Sequence, residues 1–201
     1  MVDNTIALAR IRREFREVLK SEETQDCIHI ELVNDNFMEL QGQISGPPDT
    51  PYEGAVYHLE IKIPDTYPFH PPKVKFLTKI WHPNISSATG AICLDILKDQ
   101  WAAAMNLRVV LLSIQALLSA AEPDDPQDAV VAQQYKSNPD IFRITARYWA
   151  HVYAHGPDGN HSELEEKVKI LSEMGIEKNQ ARFALSSSSW DVSAAMEHLF
   201  S

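Results

Sequence analysis

The chain has 201 residues, 44% hydrophobic and 23% charged, with a formal net charge of -10. That length accommodates one domain of common size plus a small appendage, and the balance is that of a globular chain, not of a disordered or collagen-like one. The acidic surplus argues against nucleic acid as a partner, since phosphate is gripped chiefly by Lys and Arg, and no run approaches the ~18 apolar residues of a membrane helix. Two cysteines, Cys27 and Cys93, are too few for a disulfide framework or a four-thiolate zinc site. The opening MVDNTIALARIRREF lacks the charged-then-apolar layout of a secretory signal, so the expected location is the cytoplasm, with the nucleus also open.

Asp3 or Asn4 is placed to cap a first helix whose apolar residues Leu8, Ile11, Phe15, Val18 and Leu19 recur three and four apart, as one buried stripe requires. Arg10, Arg12, Arg13, Arg16 and Lys20 outnumber Asp3, Glu14 and Glu17 there, so the outer face reads either as a docking surface for an acidic partner or as an ordinary solvated face. Three alternating runs follow: Ile28, Ile30 and Leu32; Met38, Leu40 and Ile44; and Tyr57, Leu59, Ile61 and Ile63. Alternation means one packed face and one wet face, which predicts an antiparallel meander. Asn34-Asp35-Asn36 reads as a polar hairpin loop, and prolines at 64, 68, 71 and 72 suspend ladder pairing until a fourth strand over Val74 to Leu77.

Farther on, Leu107, Val110, Leu111, Ile114, Leu117, Leu118 and Ala121 predict a central helix packed on the sheet. An acidic loop, Glu122 to Asp128, leads to a short helix over Ala129 to Lys136. The next helix has Asn138 as cap and Pro139 at its first position, and is expected to bury Phe142, Ala146, Trp149 and Tyr153. Turn residues with no apolar period then mark a flexible linker at 155–161. The chain thus divides into residues 1–154, that linker, and a three-helix module at 162–201, whose stripes are Leu164, Val168 and Leu171; Ala181, Ala184 and Leu185; and Ala194, Ala195 and Leu199.

The stretch Thr66 to Asp99 carries the chemistry. A cysteine between Ile92 and Leu94 reads as a small buried hydrophobe or as a nucleophile. Gly90 and Ala91 leave little bulk beside the sulfur, and Leu94 to Leu97 is too broken by Asp95 to be a strand, which predicts a loop groove with room for an extended peptide tail. A thiol of pKa near ~8.5 suits reversible acyl exchange, because it both attacks and leaves readily. His82 would suit a cysteine–histidine hydrolase, but it precedes Pro83, whose ring restricts the backbone, so its imidazole is expected to bond locally within the turn. The neutral amide of Asn84 either donates to an oxyanion forming on a thioester or braces the turn. A lysine acceptor of pKa near ~10.4 must shed a proton, and Asp125 either orients that amine or serves as a cap in a proline-bounded turn.

Tyr67-Pro68-Phe69-His70-Pro71-Pro72, then His82-Pro83-Asn84, Cys93-Leu94-Asp95, Trp101 and Pro123-Asp124-Asp125-Pro126, in that order across residues 5 to about 154, resemble the ubiquitin-conjugating enzymes. The tail is similar to a ubiquitin-associated domain, with Met174-Gly175-Ile176 in place of its Met-Gly-aromatic loop, an arrangement of the class II, 25-kDa type. The resemblance implies an α/β conjugating fold with a four-stranded antiparallel sheet, and a monomer. Cys93 would receive ubiquitin from an activating enzyme, which consumes the ATP upstream, and pass it to lysine, with no metal or organic cofactor of its own. Asn84 would serve the oxyanion or order the nearby loop, and Asp125 would meet the incoming lysine. Arg10 and Arg13 on the first helix, Phe69, Trp101 and Ala103 match the surface used by activating enzyme and RING-type ligases. Many members carry proline where Ala103 stands, which leaves ligase choice open. Met174, Gly175, Ile176 and Leu199 would contact a second ubiquitin, although Met174 and Leu199 also read as core of a small bundle. The type further implies assembly of polyubiquitin chains that signal degradation.

Overall fold

The computed structural model describes residues 5–201, so the cap expected at Asp3 or Asn4 lies outside the described residues. Helix α1 spans Thr5–Lys20 and buries Ala7, Ile11, Glu14 and Val18. Leu19, expected on the same stripe, is 52% exposed; at 3.6 residues per turn it lies a hundred degrees beyond Val18 and off the packed face.

Strands β1 (Ile28–Val33), β2 (Asn36–Ser45), β3 (Val56–Lys62) and β4 (Lys73–Phe76) form one antiparallel meander in the order β1-β2-β3-β4. Asn34 and Asp35 take φ values of 52° and 57° between β1 and β2, the left-handed pair that a two-residue hairpin matches to strand twist. Ile28 opposes Ile44, Leu40 opposes Ile61 and Leu59 opposes Phe76, so the period-two pattern brings the apolar residues to one face. β4 ends one residue short of the expected Leu77, which is half exposed. Helix α2, Leu107–Ser119, supplies Leu107, Val110, Leu111 and Ile114 to the core shared with the sheet, as its spacing predicts.

Helix α3 (Ala129–Ser137) and helix α4 (Pro139–Ala154) follow; Asn138 caps α4 by accepting from the Ile141 N–H, with Pro139 first in the helix. The tail forms α5 (Ser162–Glu173), α6 (Lys178–Ser187) and α7 (Val192–Phe200). Its junction with α3 and α4 is buried and polar. Gln134, 5% exposed, accepts from the Trp81 indole N–H at 2.8 Å and donates to the Ser186 carbonyl at 2.9 Å. Trp149 donates to Ser186 Oγ and Trp190 to Thr145 Oγ1, each at 2.9 Å. The segment 155–161 contains no helix or strand, yet it starts from an ordered cap: His155 is left-handed, and the Gly156 N–H bonds the Ala150 carbonyl. Tyr153, expected in the core, is only partly covered; its ring lies under the Lys79 ammonium and its hydroxyl donates to Asn179.

Candidate active site

His82 is buried, and both ring nitrogens are engaged: Nδ1 accepts from the Asn84 backbone N–H at 3.0 Å, which leaves Nε2 to donate to the Leu117 carbonyl at 2.9 Å. Burial lowers its pKa to about 4, so the ring is neutral near pH 7. It is a strut between the turn and α2: the bond to Asn84 is the local one expected of the residue before a proline, and the bond to Leu117 reaches beyond that expectation.

Asn84 is 1% exposed and equally occupied. Its Nδ2 donates to the carbonyls of Glu122 and Asp125 at 2.9 and 3.0 Å, while Oδ1 accepts from the Glu122 N–H at 2.8 Å. Pro83 adds its carbonyl as acceptor for the N–H groups of Gln127 and Asp128. Asp128 in turn caps α3 and accepts from both N–H and Oγ of Ser87. The His82-Pro83-Asn84 turn therefore holds the whole acidic loop by its backbone. Of the two alternatives open for Asn84, bracing the loop is the one its bonds serve, because both amide hydrogens are spent there.

Cys93 hangs from the same turn, with its N–H on the Asn84 carbonyl at 2.8 Å. Just before it, Gly90 has a φ of 76°, and a Cβ there would lie 2.0 Å from the Phe76 carbonyl oxygen. Glycine is thus required by the close approach to β4, not for room beside the sulfur as expected from the sequence. After Cys93 the chain forms a short 3-10 turn over Asp95–Leu97.

The thiol lies in an open groove of about 400 Å3 lined by Asn84, Leu94, Ser113, Leu117, Glu122 and Asp125, among others. Asp125 Oδ2 is 3.6 Å from Cys93 Sγ, and Lys98 Nζ is 3.5 Å from it on an exposed side chain. The contact with Cys93, with Asp125 close by, raises the Lys98 pKa. Lys98 carried no signal in the sequence; it comes to the sulfur only because the 3-10 turn folds it back.

The residues expected at the partner face sit away from this groove. Phe69 is 68% exposed, and Ala103 also faces solvent. Trp101 is partly covered, donating its indole N–H to the Pro68 carbonyl and stacking at a tilt on Tyr67. Arg13 remains open beside Glu17, but Arg10 is consumed: it pairs with Glu14 and donates to the carbonyls of Ala103 and Met105. Glu14 is the hub that sequence reading missed. Its carboxylate, 1% exposed, also accepts from Tyr67 OH and from the first N–H of α2 at Leu107. The signal was present, since Glu14 stands on the line Ile11, Glu14, Val18 and so faces inward.

In the tail, Met174 is 51% exposed, and Gly175, with φ of 92° and open space where a Cβ would stand, turns the chain between α5 and α6. Ile176 and Leu199 are half-buried and Phe200 is exposed, so these residues border solvent instead of filling a sealed core.

Residues 10–150 match the family model described as ubiquitin-conjugating enzyme. The chain belongs to the ubiquitin-conjugating enzyme family. The enzyme is 68% identical to ubiquitin-conjugating enzyme E2 K of Homo sapiens and of Mus musculus over 197 residues, which cover 98% of each chain. Its identity to ubiquitin-conjugating enzyme E2-22 kDa of Drosophila melanogaster is 61% over the same share. Among solved structures, the E2 domain of a Toxoplasma gondii ubiquitin conjugating enzyme superposes with a TM-score of 0.68 at 46% identity, covering 73% of this chain and 97% of that one. A ubiquitin conjugating enzyme from Plasmodium yoelii gives 0.70 at 51%, covering 75% and 96%. The expected conjugating fold and transferase class are those of these relatives. Within the enzyme, Cys93, Asn84 and Asp125 converge on one groove, while the expected partner residues gather around α1 and the tail residues border a third surface.

Proposed function

We propose that this ubiquitin-conjugating enzyme receives ubiquitin on Cys93 Sγ as a thioester and passes it to lysine. In the first step Sγ attacks the thioester carbonyl presented by the activating enzyme, whose own thiol leaves, and ATP is spent upstream. In the second, a lysine amine attacks the Cys93 thioester, an isopeptide bond forms and the C–Sγ bond breaks. The observation that carries the reading is a thiol in an open groove with a carboxylate 3.6 Å away and no imidazole free to act on water, since both nitrogens of His82 are occupied. Asp125 orients the incoming ammonium and helps remove its proton. Asn84 is a positioning residue that acts through the loop carrying Asp125.

The tail serves as a ubiquitin-associated module. Met174, Gly175, Ile176 and Leu199 contact a second ubiquitin, and the tether raises that acceptor's concentration near Cys93, favouring polyubiquitin chains that signal degradation. Ile176 in place of an aromatic keeps the apolar contact at a cost of about 25 cal/mol per Å2 lost. Arg13, Phe69, Trp101 and Ala103 form the face for activating enzyme and RING-type ligase, with Arg10 bracing it from beneath.

The test is a charging reaction with activating enzyme, ubiquitin and ATP, resolved with and without reductant. The wild type yields a reductant-labile adduct, and Cys93→Ser a more stable oxyester. A Cys93→Ser variant that still forms a labile adduct rules out this site. Linkage analysis of the products, with and without residues 162–201, tests the role of the tail in chain assembly.

A further inference from the structure

The seam between α4 and the tail carries two histidines that the chemistry at Cys93 does not use. His151 stands on α4 and His161 just before α5, and their rings meet with centroids 5.5 Å apart, tilted by 39°. His151 is anchored, its Nδ1 donating to the Gly156 carbonyl at 3.1 Å. His161 is covered instead. Its ring forms a T-shaped contact with Tyr148 of α4 at 5.4 Å, and a Cβ on Gly159 would lie 3.1 Å from its Nε2. That nitrogen is shut from solvent and has no hydrogen-bond partner among the described residues. A cleft of about 530 Å3, lined by both rings with Asp158, Glu165 and Arg182, opens beside the pair and gives protons a way in.

We infer that the two rings form a proton-weakened clasp: neutral, they pack the tail against α4, and a proton taken up by His161 opens the contact and lets the module of α5–α7 swing away. A protonated imidazole is a donor at both nitrogens, and Nε2 has no acceptor to meet. The new charge would also face His151 and Arg147 from α4 and Arg182 from α6. Two acids stand against these cations, Asp158 in the segment 155–161 and Glu165 on α5. Both are already engaged, Asp158 with the Asn160 N–H and Glu165 with the Tyr148 hydroxyl and Arg182. Burial above all, with His151 next, outweighs them and holds the docked His161 below the ordinary histidine range.

Once undocked, His161 leaves Tyr148, Arg147 and His151 behind on α4 and titrates at the ordinary value of 6.5. The undocked form therefore binds more protons than the docked one. Docking is favoured in full above pH 6.5 and declines as pH falls below it, its equilibrium constant dropping by as much as about tenfold per pH unit. The decline ends below the docked-state value, where both forms carry the proton. A released module hangs on residues 155–161, which extend to about 25 Å. Acid thus changes how far the tail ranges from the groove, while the fold of either part stays as it is.

The experiment uses full-length enzyme and reads solvent exchange of the indole Nε1–H protons by NMR between about pH 5 and 8, each rate divided by that of N-acetyltryptophanamide at the same pH. The Trp149 bond to Ser186 and the Trp190 bond to Thr145 cross the seam. The Trp81 bond to Gln134 stays within residues 1–154 and reports global unfolding, to which buried His82 contributes. The expected protection of Trp149 and Trp190 relative to Trp81 is level above pH 6.5 and falls by up to about tenfold per pH unit below it. His161→Phe, which keeps a ring against Tyr148, and His161→Gln, which keeps a polar group, cannot titrate, and both lose the fall. A level wild-type ratio overturns the inference, as does a slope that survives in both variants. The His161 ring proton supplies an independent check in the wild type: it titrates at lower pH in the native enzyme than in the urea-unfolded chain, and an equal or higher midpoint also overturns the clasp.

Discussion

Gln134, Thr145 and Ser186 at the tail junction and Cys93, Asp125 and Lys98 in the groove are polar side chains put to opposite uses. At the junction each group is nearly sealed from solvent and bonded at 2.8 to 2.9 Å, to Trp81, Trp149, Trp190 or one another. In the groove the groups are partly or fully open, and their contacts are longer, 3.5 and 3.6 Å. A sealed, fully paired group permits one arrangement, because orphaning a buried donor or acceptor costs about 1–3 kcal/mol. Open and loosely paired groups can exchange partners with little loss, which is what the proposed cycle of attack, carriage and release at Cys93 would require. The His82-Pro83-Asn84 turn belongs to the first kind and supports the second.

The largest expected break in this contrast comes from Cys93→Ala. It abolishes every covalent adduct while shifting the unfolding free energy by less than about 1 kcal/mol, since a half-exposed side chain fills little core. A large loss of stability in urea titration would return Cys93 to the role of a packing residue. His82 gives the reverse case, in which chemistry is untouched and stability responds. The unfolded chain takes up a proton below pH 6.5, whereas the folded imidazole resists until about pH 4. The folded state is therefore favoured in full above pH 6.5 and loses about 3 kcal/mol as pH falls through that window. His82→Gln flattens this part of the profile, and parallel pH slopes for the two proteins would remove His82 as its source. Asp125→Ala sharpens the comparison within the groove: discharge to free lysine slows by about 10²-fold, and charging far less. Equal slowing of both steps would place Asp125 with the structural residues. Gln134→Leu is the mildest, costing about 2 kcal/mol through the unpaired Trp81 N–H and the lost bond to the Ser186 carbonyl, which keeps only the Ser189 N–H at 3.3 Å. Amide exchange should then quicken in α5–α7 first, and uniform quickening across the sheet would argue against a separable junction.

Much of the scaffold was legible because apolar periodicity reports directly on which face is packed. The alternation through Tyr57, Leu59 and Ile61 and the stripe from Leu107 to Leu118 both stand where their spacing puts them, as does the Asn138-Pro139 helix start. What escaped the sequence was polar and long-range. The place of Glu14 on the buried line of α1 shows that it faces inward but not that Tyr67, Arg10 and Leu107 surround it, and Gln134, Thr145 and Ser186 give no hint that three indoles seek them out. Asn84 and Asp125 could be singled out one at a time, but not that Asn84 grips the carbonyl of Asp125 itself. Lys98 depends on a turn of three residues, too short for any period to announce.

Helix α2 connects two surfaces that were described separately. Its first N–H is fastened by Glu14 beneath the arginine-bearing end, and its later turns, at Ser113, Ala116 and Leu117, wall the groove. Thirteen residues make a shaft about 20 Å long. On the proposed reading, a protein that clasps the handle would stand a full shaft-length from the blade, too far to lend an atom to the bond being made at the sulfur.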